Sequence, residues 1–202
     1  MDGEISKREH FEVMRLMAIP GGALARVDFV IDTAYTSKQS NDPSAVMMYS
    51  FFEGRLYILG YVEMYEEISK LTKRILNFVR DYGNVNSKVL IEPKASGQSV
   101  YQVLKNSLNI REAKMLEGDK VARANSVEAF LWGNAAVLLA GDWNEHFLGQ
   151  VMSFPKARHD EAVDLLGVAL NESYNGGRRE VERGRGGVFL GVRPPPVALP
   201  FA

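Results

Sequence analysis

The sequence predicts a mixed α/β domain: three antiparallel strands, then strands alternating with helices, in one sheet with helices on both faces. Three observations lead there. A strand-like alternation over residues 27–32 is followed by a hairpin signal centred on Glu53-Gly54. Beyond it, helical periodicities and short apolar runs take turns as far as residue 172. The 202 residues, 46% of them hydrophobic and 24% charged, suffice for one sizeable domain with its own core.

Residues 1–22 form a charged lead-in ending in Ile19-Pro20-Gly21-Gly22, expected as an arm, a linker or a short helix followed by a break. In the strand that follows, Val27, Phe29 and Ile31 face one way and Asp28, Val30 and Asp32 the other. A polar loop with an Asp42-Pro43 turn leads into two β-rich runs, 45–52 and 55–65, joined at Glu53-Gly54. Ile68, Leu71, Ile75, Leu76 and Val79 mark a helix over 64–82. Next come the short strand SKVLIEP, the helix SGQSVYQVLKNSL, the strand REAKML and the helix DKVARANSVEAFLWG. NAAVLLAG reads as a strand or turn, 142–150 as a short helix, and 159–172 as a helix that starts on acids. The Gly-, Pro- and Arg-rich segment 175–202 is expected as a tail outside the domain, which spans 23–174.

Several function classes fall away on composition. With no cysteine there is no disulfide, thiolate zinc site or cysteine nucleophile, which fits a reducing compartment. A net charge of −1 does not advertise nucleic-acid binding, so any such surface must be a local patch. No apolar run approaches the roughly 18 residues that span a membrane, and the N-terminus has no signal-peptide pattern. There is no GxxxxGK[ST] phosphate loop, and the GRGG of the tail follows no predicted strand.

Three acids share a geometric description. Asp32 ends the first strand, Glu92 ends VLIE on the face of Leu90, and Asp160 opens the last helix, with Glu161 and Asp164 close behind. In α/β sheets functional groups gather outside the carboxyl ends of strands. Carboxylates brought together there cannot all ionise cheaply. Divalent cations remove that repulsion, and hard oxygen donors select Mg²⁺ or Mn²⁺. Two such ions about 3.5–4 Å apart can activate water and stabilise the leaving oxygen of a phosphodiester. The plainer alternative is that helix-start acids merely complement the helix dipole, worth about 0.3–1 kcal/mol each, and that strand-end acids begin polar loops. On a helical wheel Asp160 and Asp164 share a face while Glu161 is turned by about 100°. That predicts the largest loss of cleavage for Asp160→Asn, then Asp164→Asn, then Glu161→Gln.

The segments VDFVIDTAYTSKQSNDPSA, VLIEPKASGQSV and FPKARHDEAVDLLGVAL, in that order, resemble the three acidic motifs of the nuclease domain of phage terminase large subunits. The likeness covers roughly residues 24–172. It rests on Asp32 and Asp42 in the first motif and on Ile91, Glu92, Lys94 and Gly97 in the second. In the third it rests on His159, Asp160, Glu161, Val163 and Asp164, where Glu161 replaces the family's second Asp. The resemblance implies an RNase H-like fold and a Mg²⁺- or Mn²⁺-dependent endonuclease that cuts concatemeric double-stranded DNA during packaging, in the host cytoplasm and away from membranes. It implies Asp32, Glu92 and Asp160 as catalytic two-metal ligands, with Asp32 bridging. Asp164 and Glu161 are further ligands, and His159 and Asp28 support them. On that reading Lys94, Lys120, Arg123, Lys156 and Arg158 are candidate phosphate contacts. The ATPase domain that precedes the nuclease in full-length members, the small terminase subunit and the portal protein are implied partners. The chain then reads as the nuclease half, with 1–22 as the linker from the motor. The alternatives are another RNase H-like nuclease, of resolvase or RNase H type, and a non-catalytic assembly domain docking through its arm and Arg-rich tail.

Overall fold

Seven strands form a single mixed sheet in the computed structural model, which describes residues 7–34, 42–93, 95–114, 120–133, 136–156 and 159–180. In chain order these are β1 (Phe11–Met14), β2 (Asp28–Asp32), β3 (Ser44–Phe52), β4 (Arg55–Met64), β5 (Val89–Ile91), β6 (Ile110–Glu112) and β7 (Ala136–Leu139). The helices are α1 (Gly21–Ala25), α2 (Ile68–Tyr82), α3 (Ala95–Leu104), α4 (Lys120–Gly133), α5 (Asn144–Ser153) and α6 (Glu161–Glu180). Across the sheet the order is β1-β7-β4-β3-β2-β5-β6. The pairs β2/β3 and β3/β4 are antiparallel, and all others are parallel.

Strand β2 is buried along its whole length because both faces of the sheet are covered. Phe29 and Ile31 pack with Leu71, Ile75 and Phe78 of α2 and with Val100 of α3. Val30 looks the other way, into a core shared with α4, α5 and α6. The alternation predicted for this strand is thus realised as two apolar layers.

The predicted hairpin forms at Glu53-Gly54, whose φ angles of 50° and 78° suit a tight turn between right-twisted strands. Further up the hairpin the register slips. Tyr49 pairs with Ile58, but Met48 pairs with Gly60, so Leu59 is an extra residue on β4. Its effect is a switch of faces: Leu56 and Ile58 point into the α4–α6 core, and so does Tyr61, after an odd step.

Three expected segments differ. Phe11–Met14, expected as part of an arm or short helix, is an edge strand paired in parallel with β7. Phe11 is buried against Phe147, and this contact, rather than the charged neighbours, decides its state. Helix α6 continues through residues 175–180, into the expected tail, while 181–202 lie outside the described residues. The strand after α3 is 110–112, shorter than REAKML and begun one residue earlier.

Candidate metal centre

Parallel pairing of β2 and β5 sets Ile31 beside Ile91, and the Glu92 N–H continues the ladder by donating to the Ile31 carbonyl at 3.0 Å. Asp32 and Glu92 therefore leave neighbouring strands side by side. By strand alternation both belong to the face of Val30 and Leu90, the one covered by α4, α5 and α6. Across the antiparallel pairs Asp32 opposes Ala45, and Ala45 opposes Glu63. One row across four adjacent strands thus carries Glu92, Asp32 and Glu63 at the same end of the sheet.

The mouth of α6 meets this row. His159 Nδ1 lies 3.6 Å from an Asp42 carboxylate oxygen and 3.7 Å from Glu161 Oε1. One donor atom from each of Asp42, His159 and Glu161 falls within 4.8 Å of the others. Glu161 is only 4% exposed, and burial first of all, with Glu63 and Asp42 adding to it, pushes its carboxyl above the ordinary carboxylate range; His159 opposes the shift. Among the described residues its Oε2 and the buried Nδ1 of His159 make no hydrogen bond. Buried polar atoms left this way are costly unless something satisfies them. Two carboxylates and an imidazole suit a divalent cation, so the residues present fit the group that the acidic motifs imply.

The helix-mouth acids differ in burial. Asp160 and Asp164 are half-buried, whereas Glu161, expected off to the side, is buried and belongs to the cluster. Asp160 precedes the first helical residue, and its carbonyl accepts from the Val163 and Asp164 amides. An N-cap residue has non-helical backbone angles, so the 100° wheel does not fix its side chain. His159, expected as a support behind the ligands, places a ring nitrogen within the same cluster.

Glu63 was not anticipated. Its Oε1 accepts from the Tyr61 hydroxyl at 2.7 Å and from Gln150 Nε2 at 2.5 Å, and lies 3.0 Å from His146 Nε2. Burial and the adjacent Glu63 push the Tyr61 hydroxyl up, so it stays a donor.

The segments behind Asp32 and Glu92 are fixed from α3. Thr33 Oγ1 donates to Ser96 Oγ at 3.1 Å, and Ser96 Oγ donates to the Thr33 carbonyl at 2.8 Å. A Cβ on Gly97 would lie 2.1 Å from the Glu92 carbonyl oxygen, so only glycine lets α3 approach the end of β5. We expect Gly97→Ala to displace Glu92, lowering both melting temperature and metal affinity. Wild-type calorimetric Mn²⁺ binding in this variant would show that the close approach does not matter.

Asp28 shares the Asp32 face but sits at the opposite end of the strand, about 13 Å away at 3.3 Å per residue. It accepts from the Lys88 N–H at 2.8 Å and lies 3.8 Å from Arg26, so it does not support the centre. Burial raises its carboxyl. We therefore expect Asp28→Asn to leave cleavage unchanged and to melt no lower than wild type at neutral pH. Loss of cleavage would restore Asp28 to the site. Of the expected phosphate contacts, Lys156 is exposed in the turn before α6. Lys94 and Arg158 lie outside the described residues, as do the side chains of Lys120 and Arg123 on α4. No described helix is long and apolar enough to cross a membrane.

This sheet order, with acids gathered at one end beneath a final helix, defines an α/β fold shared with nuclease domains of large terminases. The chain is similar to the large terminase of a thermophilic bacteriophage in complex with ATP-gamma-S, at TM-score 0.62 and 12% identity, covering 83% of this chain and 44% of that one. The chain therefore spans less than half the length of that protein. It is also similar to the large terminase nuclease of thermophilic phage G20c with bound magnesium, at TM-score 0.56 and 14% identity, covering 73% and 81%. A third likeness is to the large terminase nuclease domain of bacteriophage SPP1 with bound Mn, at TM-score 0.52 and 14% identity, covering 85% and 97%. No family model matches the chain, and the comparison with curated proteins finds no match.

Proposed function

We propose that this chain is a divalent-cation-dependent DNA endonuclease, the nuclease part of a viral DNA-packaging terminase. The observation that carries the reading is the cluster of Asp42, His159 and Glu161 at the mouth of α6, with buried donor atoms left unsatisfied, at the same end of the sheet as the strand-end acids Asp32 and Glu92. The fold it shares with terminase nucleases, two of them holding magnesium or manganese, supports it.

Mg²⁺ or Mn²⁺ in this centre, as a pair, would polarise the scissile phosphodiester and make water nucleophilic near neutral pH. The chain's own residues do the rest. Asp32 and Glu92, fixed on adjacent strands, hold the sheet side of the centre. Asp42, His159, Asp160 and Glu161 hold the helix side, with Asp164 one turn further along α6. Lys94, Lys120, Arg123, Lys156 and Arg158 are assigned to backbone phosphates, which position a duplex without reading its sequence. The nuclease unit comprises 23–174 together with the edge strand at 11–14. Its proposed substrate is concatemeric double-stranded DNA, and its proposed partners are a terminase ATPase domain, a small subunit and a portal protein.

The test is nicking of supercoiled plasmid. We expect cutting with Mn²⁺ or Mg²⁺, binding with little cutting in Ca²⁺, and none in excess chelator. Full activity in chelator would overturn the reading. Activity confined to four-way junctions or RNA–DNA hybrids would move it to a resolvase or an RNase H.

A further inference from the structure

We infer that Gln150 is a positioning residue for the cation centre, tying the first turn of α6, and with it Glu161, to Glu63 on β4; the inference rests on the cation-dependent reading above. Gln150 is a buried polar residue on α5, whose neighbours Leu148 and Val151 already fill the core. Its Oε1 accepts from the Ala162 N–H at 3.1 Å. That amide belongs to the first turn of α6 and has no partner within its own helix. Its Nε2 donates to Glu63 Oε1 at 2.5 Å.

The two bonds fix the orientation of the amide. Flipping it would set donor against donor at Ala162 and acceptor against acceptor at Glu63. Glu63 is itself held by the Tyr61 hydroxyl and by His146 Nε2. Four side chains from β4 and α5 therefore form one network around Glu63, and Gln150 alone links it to the backbone amide next to Glu161. The strain they oppose is electrostatic, since Glu63 and Glu161 repel. Without the tie, the helix mouth can relieve that repulsion by moving off the sheet, carrying Glu161 away from Asp42. Gln150 is neutral and offers both a donor and an acceptor. A carboxylate in its place would keep the bond to Ala162 and lose the one to Glu63.

The measurement is Mn²⁺ affinity by isothermal titration calorimetry on the full chain, with melting temperatures alongside. Partners behind metal ligands are typically worth about 10–100-fold in affinity, so Gln150→Leu is expected to bind Mn²⁺ at least about tenfold more weakly. Tyr61→Phe, which removes the hydroxyl that donates to Glu63 at 2.7 Å and to Gln150 Oε1 at 3.3 Å, is expected to bind it more weakly than wild type but more tightly than Gln150→Leu. Val151→Ala, a cavity on the same helix, should lower the melting temperature and leave Mn²⁺ affinity unchanged. Wild-type affinity in Gln150→Leu overturns the inference, as does an equal loss in Val151→Ala, since affinity would then follow general stability. Where Gln150→Leu does not fold, unchanged affinity in Tyr61→Phe overturns it. A wild-type chain that binds no Mn²⁺ overturns the cation reading and this inference with it, a result distinct from variants that bind as wild type does.

Discussion

Asp32→Asn is expected to reduce Mn²⁺-dependent plasmid nicking by at least about a hundredfold, because even residues behind the ligands are commonly worth 10–100-fold. The change is nearly isosteric and falls on a buried residue in the same cross-strand row as Glu63 and beside Glu92. Removing one charge from such a row relieves repulsion, so the melting temperature without metal should hold or rise. The two readouts move in opposite directions, which separates a functional acid from a structural one. Retained nicking in a folded Asp32→Asn would remove the sheet side of the centre from the mechanism.

Glu161→Gln is expected to reverse its stability relative to wild type when metal is added. Burial holds this carboxyl above its ordinary value of 4.5, so the folded metal-free protein keeps the proton to higher pH than the unfolded chain. Stability then falls as pH rises from that ordinary value through the raised one, and above it the full penalty is present. A glutamine carries no such penalty. Without metal, Glu161→Gln should therefore melt higher than wild type at about pH 7.5, with the difference shrinking toward about pH 4. Metal at a hundred times its dissociation constant stabilises a binding protein by about 2.7 kcal/mol. Wild type gains this and the variant loses much of it, so Mn²⁺ should invert the order of the two melting curves. Parallel upward shifts in both proteins would show that Glu161 does not face the ion.

The layered core and most strands were legible because a residue's parity or wheel position decides its face. Asp32 and Glu92 could be paired in advance, since each ends a strand whose alternation is plain. Glu63 could not. Counting up from the Glu53-Gly54 turn sets Val62 opposite Ala45 and puts Glu63 on the other face. The extra residue at Leu59 reverses this, and nothing in the apolar run around it announces a bulge. The burial of Glu161 was hidden for another reason: its neighbour Asp160 precedes the helix, where a helical wheel does not fix a side chain. Strand β1 was missed because four residues flanked by charges carry too little periodicity, and its partner β7 lies more than a hundred positions away.

The centre draws on a strand end, a loop, a hairpin arm, a second strand end and the start of the final helix. Nearly all of its contacts are between residues distant in the chain, and helix α6 completes them. Long closures of this kind must be made before they yield any stabilisation, and domains gain structure from the N-terminal side during synthesis. A growing chain that has not reached residue 159 holds Asp32, Asp42, Glu63 and Glu92 with nothing above them. On the proposed reading, the cation centre is therefore assembled only once α6 has been made, well after its sheet side.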